Sequence, residues 1–416
     1  MKKVDQEVYE AYKHIGGISY LKYFDIPKIE KETQKKLFLD ATIDVPCYDK
    51  RNINIDELIT KKQAFVSLQK RIVNMDIDAH IREAYHRLIN EQIHYSDMIE
   101  AYARGDMEQF SAVSIELFGE PKNEYVSYII SYITQLCDDA KHVSDEATNH
   151  IEHVEYALQN FESDNTVFSE ISIDFVQRHN DERMYTAAEI KRLFEQALDD
   201  RRITGWLVEI DDTGHVSFIR VEQESKKIIV PADRRLSERH MQGLIAHEIG
   251  VHVQRRFNAV KIPLHILSLG LDNYIRAEEG MAKYVEREIY PESLIPSMEL
   301  YLGIALAQGI DGVKRNFRDL YEFFYAYYSL LRICRPENSD ASIEDIAWNR
   351  TERIYRGVVG SLNTACFTKD IVYWEGFLRV RDIAHTLPEE INRFLCGKYD
   401  PANEFHREFL DAFDVH

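Results

Sequence analysis

The chain has 416 residues, 45% of them hydrophobic, with 51 lysines and arginines against 71 aspartates and glutamates and a formal net charge of −20. At about 150 residues per domain this length suggests two to three domains, and the apolar share is ample for a packed core, which excludes a disordered chain. The acidic surplus argues against nucleic acid or an anionic membrane as partner, because such binders usually present Lys and Arg in excess.

The N-terminal segment MKKVDQEVYEAYK turns acidic and amphipathic where a signal peptide needs an apolar core. The most apolar stretch, Ile262 to Leu271, is interrupted by Pro263, His265 and Ser268 and falls well short of the roughly 20 residues of a membrane span. The cysteines Cys47, Cys137, Cys334, Cys366 and Cys396 form no CxxC pair. Neither a disulfide framework nor a cysteine zinc site is indicated, and a cytoplasmic setting is expected.

Residues 1–165 read as an N-terminal helical region, with apolar residues at helical spacing in Leu58, Phe65, Leu68 and Ile72, in Ile81, Tyr85 and Leu88, and in Ile129, Ile133 and Cys137. Gly105 and Gly119-Glu-Pro121 punctuate it. No catalytic pattern appears there, so a helical domain or a cover of helices over a catalytic core is expected. Near residue 165 the period changes: Ile171, Ile173 and Phe175 alternate as a strand would. A helix follows with Ile190, Leu193, Phe194 and Leu198 on one face. Trp206 to Ile210, the turn Asp211-Asp-Thr-Gly214 and Val216 to Val221 then predict a hairpin, and Lys227 to Val230 a third strand ended by Pro231. Helices, a small antiparallel sheet and further helices describe an α+β, predominantly helical fold. No GxGxxG or GxxxxGK[ST] pattern suggests a nucleotide site.

After the third strand comes Ser237-Glu-Arg-His-Met241-Gln-Gly-Leu-Ile-Ala-His247-Glu248-Ile-Gly250-Val-His252. Ser237 is a natural N-cap, and Leu236 with Met241 suits a hydrophobic staple, so His247, Glu248 and His252 fall inside a helix. In HExxH, two histidines on one helix face bind zinc while the glutamate acts as general base. Here the spacing is HExxxH. On a regular helix the two histidines would be about 140° apart, whereas a π-turn of about 4.4 residues brings them within roughly 50°. A distorted helix is therefore predicted, with Gly250 available to absorb the distortion. The apolar run Leu244-Ile-Ala246 predicts burial around the motif, where unpaired charges are costly and a metal would satisfy them. A catalytic zinc needs three protein ligands and an open position. The segment Ile275-Arg-Ala-Glu278-Glu279-Gly280-Met-Ala282-Lys-Tyr-Val-Glu286 offers carboxylates beside small residues that allow close helix approach. The bland alternative is a solvated acidic face.

HEIGVH followed by EEGMA resembles the bacterial QEGLA-motif proteins, first named for modulating flavohemoglobin expression, which are similar to the microtubule-associated tyrosine carboxypeptidases of animals. The resemblance extends from about residue 165 onward; Arg353-Ile-Tyr-Arg356-Gly357 and Phe367-Thr-Lys369-Asp370-Ile-Val-Tyr373-Trp-Glu-Gly376 look like later motifs of the family. It implies a zincin-like catalytic domain over 166–416. It also implies a zinc carboxypeptidase with one catalytic ion, with His247, His252 and Glu279 as ligands and Glu248 as base. Glu278 and Met281 stand where the family name reads Gln and Leu.

A carboxypeptidase must also bind the substrate's terminal carboxylate, for which Arg353, Arg356 and Lys369 are candidates, with Arg255 and Arg276 nearer the metal motif in sequence. Tyr373 is a candidate donor to the developing oxyanion. Each has a bland reading as an ion-pair or core residue, and the aromatic run Tyr321 to Tyr328 reads as core. The expected activity is removal of C-terminal residues, tyrosine or other aromatics among them, from a peptide or protein C-terminus. The alternatives are a regulatory protein that retains the fold without catalysis, and a zinc hydrolase of a small amide or ester. A charge of −20 argues against tubulin as substrate, because its tails are acidic.

Overall fold

The computed structural model describes residues 5–24, 26–48, 53–161, 183–213, 219–290, 297–334, 342–356 and 366–415. The strand expected around Ile171 to Phe175 and the boundary expected near residue 165 lie outside them. Apolar spacing becomes helix as expected in the N-terminal part. Ile55–Val73 buries Leu58, Phe65, Leu68 and Ile72, and Ala79–Arg104 buries Ile81, Tyr85 and Leu88. Asn123–Val143 buries Ile129, Ile133 and Cys137. Local chemistry sets the ends: Asn54, Asp78 and Asp106 accept backbone N–H groups as N-caps, and Gly105 closes a helix at a φ of 76°, where other side chains are strained.

The sheet differs from the expectation of a hairpin and of an all-antiparallel arrangement. Strands β1 (Met184–Thr186), β2 (Leu207–Asp211), β3 (Arg220–Glu222), β4 (Lys227–Pro231) and β5 (Arg235–Ser237) form two small sheets, β1-β5 and β2-β4-β3. β2 pairs with β4 in parallel and β3 pairs with β4 antiparallel, so β2 and β3 never meet. Composition explains the order. In β4, Ile228 and Val230 are fully buried, which suits the central place, whereas the flanking strands carry Glu209, Arg220 and Glu222 toward solvent. The expected turn at Gly214 lies outside the described residues.

The helices built from the two halves of the sequence share cores. One core joins Ile129, Ile133 and Cys137 to Tyr301, Phe324, Tyr327 and Trp374, and takes in the aromatic run of the Phe317–Cys334 helix. A second joins Phe65, Tyr85, Ile99 and Phe118 to Leu267, Phe367, Val372 and Phe409. A third packs the Ala187–Asp200 helix and the strands against Ile249 and Val253 of the histidine helix. The N-terminal helices thus wall the region that carries the motif. Among the described residues no helix is long and apolar enough to cross a membrane.

Candidate active site

Ser237 caps the helix that carries the histidines, its hydroxyl accepting the His240 N–H. The rod is α-helical over Glu238–Leu244, π-helical over Ile245–Val253 and α-helical again over Gln254–Ala259. The widened turns absorb the extra residue of HExxxH, and the His247 and His252 rings lie 5.1 Å apart, centroid to centroid. Gly250 is not what makes room: a Cβ there would meet only the Ile245 carbonyl oxygen, at 3.9 Å.

The Ile275–Ile289 helix lies across the π segment and fixes both rings. Glu286 Oε2 is 2.7 Å from His247 Nδ1, and Glu278 Oε1 is 2.7 Å from His252 Nδ1. Burial raises the Glu278 pKa, but His252, Arg255 and Lys398 outweigh it and hold the group at about 2; the same contest, won by His247 and Lys283, holds Glu286 well below the usual carboxylate range. Ionised carboxylates only accept, so each Nδ1 donates to its glutamate and each Nε2 is the nitrogen turned away from that carboxylate. Glu278 is held in turn by Arg255 at 3.2 Å and Gln223 at 3.1 Å, and Glu286 by Lys283 at 2.8 Å. A histidine with its back nitrogen tied to a carboxylate is the usual support of a metal ligand.

The donor atoms of His247, Glu248 and His252 lie within 4.8 Å of one another, and Glu279 Oε2 approaches His252 Nε2 at 3.9 Å. Two ligands of one tetrahedral zinc sit about 3.4 Å apart, so both carboxylates are near ligating range. Burial disfavours charge on His252, yet Glu278, Glu279 and Glu248 raise its pKa to about 9: the pocket favours a cation. Burial also raises the Glu248 pKa, against the pull of His247 and His252. Two imidazole Nε2 atoms, two adjacent carboxylates and a negative local field fit a divalent metal such as zinc, which would take the place of the His252 proton.

Glycines set the spacing. A Cβ on Gly280 would lie 2.2 Å from the Gly376 backbone, and one on Gly376 would lie 2.0 Å from the Arg276 carbonyl oxygen. The Ile275–Ile289 and Ile371–Thr386 helices therefore cross backbone to backbone at Gly280, so the close approach that this small residue allows is to the Ile371–Thr386 helix and not to the histidine helix. Gly243 does the same at the other end, where a Cβ would touch Tyr290 and Glu286 at 3.2 and 3.3 Å.

That crossing brings the later motifs to the site. Lys369 Nζ donates to the Tyr373 hydroxyl at 2.9 Å, and Arg353 makes a bidentate pair with Asp370. The Tyr373 ring lies 4.3 Å from Lys369 Nζ and 5.3 Å from the Arg353 guanidinium carbon. Burial opposes the Lys369 charge, but Tyr373, Asp370, Glu279 and Tyr20 more than offset it and hold it protonated. Arg356 adds its field at Asp370. Three cations thus act on the Asp370 carboxylate, with Glu279 a second carboxylate acting on Lys369.

Two candidates do not belong here. Arg255 is fully buried and its donors go to Glu278 and to the Gly397 and Tyr399 carbonyls. Arg276 donates to the Phe118 carbonyl and pairs with Glu375 at 3.4 Å. Both hold framework. The supporting residues Gln223 and Glu286 escaped the sequence reading; the signal for Glu286 was its place seven residues after Glu279, about 20° around the same helix.

These features define a predominantly helical α+β protein with a carboxylate-rich two-histidine cluster, linked electrostatically through Glu279 and Lys369 to a cluster of cations. The family model for the microtubule-associated tyrosine carboxypeptidase matches residues 36–405, and the chain belongs to that family. The match starts well inside the N-terminal helical region, further forward than the motifs alone suggest. Microtubule-associated tyrosine carboxypeptidase 1 of Mus musculus is 27% identical over 152 residues, 35% of this chain and 29% of the mouse protein. The chain therefore spans under a third of that relative's length. No solved structure matches it.

Proposed function

We propose that the protein is a zinc-dependent carboxypeptidase of zincin-like design that removes residues from a peptide or protein C-terminus, aromatic ones among them. The observation that carries this reading is the pair of buried imidazoles, each tied through Nδ1 to a buried glutamate, with the half-buried Glu248 and Glu279 beside them. His247, His252 and Glu279 would hold the ion. Bound there, zinc supplies Lewis acidity to the scissile carbonyl and to a water molecule.

Glu248, whose half-buried carboxylate has a raised proton affinity, accepts the proton of the attacking water and returns it to the leaving amine. Arg353, Arg356 and Lys369 bind the terminal carboxylate, Lys369 with the donors that Tyr373 does not take. The Tyr373 hydroxyl donates toward the oxygen on which charge develops.

The donor distances also admit Glu248 as the third ligand, with Glu279 as the base. Two variants separate the assignments. Glu248→Gln is expected to keep stoichiometric zinc and lose at least about a hundredfold in turnover, the scale of one general-base contribution. Glu279→Gln is expected to lose zinc. Metal analysis giving the reverse pattern exchanges the two roles.

The mouse protein's name associates it with microtubules. For this chain the net charge of −20 weighs against an acidic tail as substrate, so the C-terminus we propose belongs to a neutral or basic peptide or protein.

A further inference from the structure

The turn that carries Lys369 packs against residues that no motif contributes. The short turn Tyr20–Tyr23 places Tyr20 against Tyr95, ring centroids 4.5 Å apart and stacked, against Phe118 at 5.6 Å and edge-on to Phe367 at 6.3 Å. Phe367 precedes the turn Thr368–Asp370, which carries Lys369. Ser114 clamps that turn through its hydroxyl, which accepts the Thr368 N–H at 3.0 Å, and through its carbonyl, which accepts the Thr368 hydroxyl at 2.9 Å. Tyr20 and Lys369 are thereby fixed to one rigid aromatic block.

Tyr20 is 8% exposed, and its hydroxyl is buried without a hydrogen-bond partner among the described residues. An orphaned buried hydroxyl costs about 1–3 kcal/mol, and a stable fold rarely leaves one without reason. Burial raises its pKa while the Lys369 charge opposes the rise, with Tyr373, Glu91 and Asp370 also acting on it, so the phenol lies within electrostatic reach of that cation. At neutral pH it is a donor. What a phenol O–H and a lysine with unused donors have in common is an anionic oxygen.

Resting on the carboxypeptidase reading above, we infer that the Tyr20 hydroxyl is a positioning donor for the substrate's terminal carboxylate, completing with Lys369 a clamp that only a free-acid C-terminus fills. Residue 20 lies outside the segment 36–405 matched by the family model. The ligand class is an α-carboxylate attached to an acylated amine, as in a peptide C-terminus or the released N-acyl product.

The test compares the full-length wild-type protein with Tyr20→Phe in three measurements. First, thermal unfolding: removal of a hydroxyl with no partner leaves Tm unchanged or raises it, whereas a fall of several degrees would assign the group a structural bond and overturn the proposal. Second, calorimetric titration with N-acetyl-tyrosine and with N-acetyl-tyrosinamide. Tyr20→Phe should weaken binding of the acid about tenfold, the scale of one hydrogen bond to a charged acceptor, and leave the amide unchanged. Equal affinity of both proteins for the acid, or no preference of the wild type for acid over amide, overturns it. Third, on a cleaved peptide the variant should raise KM with little change in kcat. The titration reads the clamp without turnover, so absence of peptidase activity beside an intact acid preference would strike at the carboxypeptidase reading alone.

Discussion

At the scale of single residues, what distinguishes the site is the carboxylate behind each histidine. Glu278 accepts from His252, Arg255 and Gln223 at once. Replacing it with Gln keeps the shape, removes the charge and offers a donor where Arg255 and Gln223 also donate. We expect Glu278→Gln to lower zinc affinity by about 10- to 100-fold, read by competition with a chelator. Unchanged affinity would show that the ring of His252 needs no such support. His247, Glu248 and His252 were legible as a unit because their spacing is a statement about helix geometry. The supporting role of Glu286 was legible only as a carboxylate on the same helix face as Glu279, and that of Gln223 not at all, since an amide after β3 carries no spacing rule until the strands are in place.

Glu91 gives a pH signature. Burial, with help from Asp272, raises its pKa to about 7 against the hydrogen bonds of Tyr95 and Asn273, which lower it. The folded value lies above the unfolded one near 4.5, so its contribution to stability is intact below about pH 4.5 and is lost as pH rises toward 7. Glu91→Gln retains the accepting oxygen and does not titrate. It should stabilise the protein by up to about 3 kcal/mol at pH 8 and by little at pH 4.5, measured by denaturant unfolding at both values. An equal effect at both would contradict a titrating Glu91.

At the scale of elements, two helices must cross at glycines for the site to exist. Gly280 and Gly376 meet backbone to backbone, and the atoms a new Cβ would strike are main-chain atoms that cannot rotate away. Gly280→Ala should therefore lie at the costly end of overpacking, about 3 kcal/mol or more, and should move Glu279 relative to His252. The expected result is a Tm lowered by several degrees together with weakened zinc binding; a variant with wild-type values for both would mean that the crossing tolerates separation. The π-helix was foreseeable from one inserted residue in HExxxH. The strand order was not, because hairpin logic pairs neighbours in sequence, whereas Ile228 and Val230 take the central place by burial and leave β2 to pair in parallel. Intervening polar sequence gives no sign of that exchange.

At the scale of the whole molecule, the N-terminal helices are part of the walls. Tyr20, Ser114 and Phe118 touch the segments that carry Lys369 and Arg276, and the two largest cores draw on both halves of the sequence. Each fully buried large apolar side chain contributes about 1.5–3 kcal/mol, and a domain's net stability is only about 5–15 kcal/mol. A fragment of residues 166–416 loses more than a handful of such contacts. We expect it to show no cooperative thermal transition; a sharp transition and retained zinc binding would instead mark an autonomous catalytic domain. Composition could say that a core exists but not that it crosses the midpoint of the chain, since shared burial leaves no local mark on either half.

The central claim is that a zinc ion held by His247, His252 and Glu279, with Glu248 as base, removes C-terminal residues. It is tested most directly by incubating the zinc-loaded protein with peptides of mixed C-termini and reading the products by mass spectrometry. The expected result is shortening by single residues from free-acid C-termini, none from amidated ones, and loss of all shortening on chelation or in Glu248→Gln. Intact peptides under zinc saturation, cleavage inside the chain or at the N-terminus, or shortening that survives chelation would contradict it.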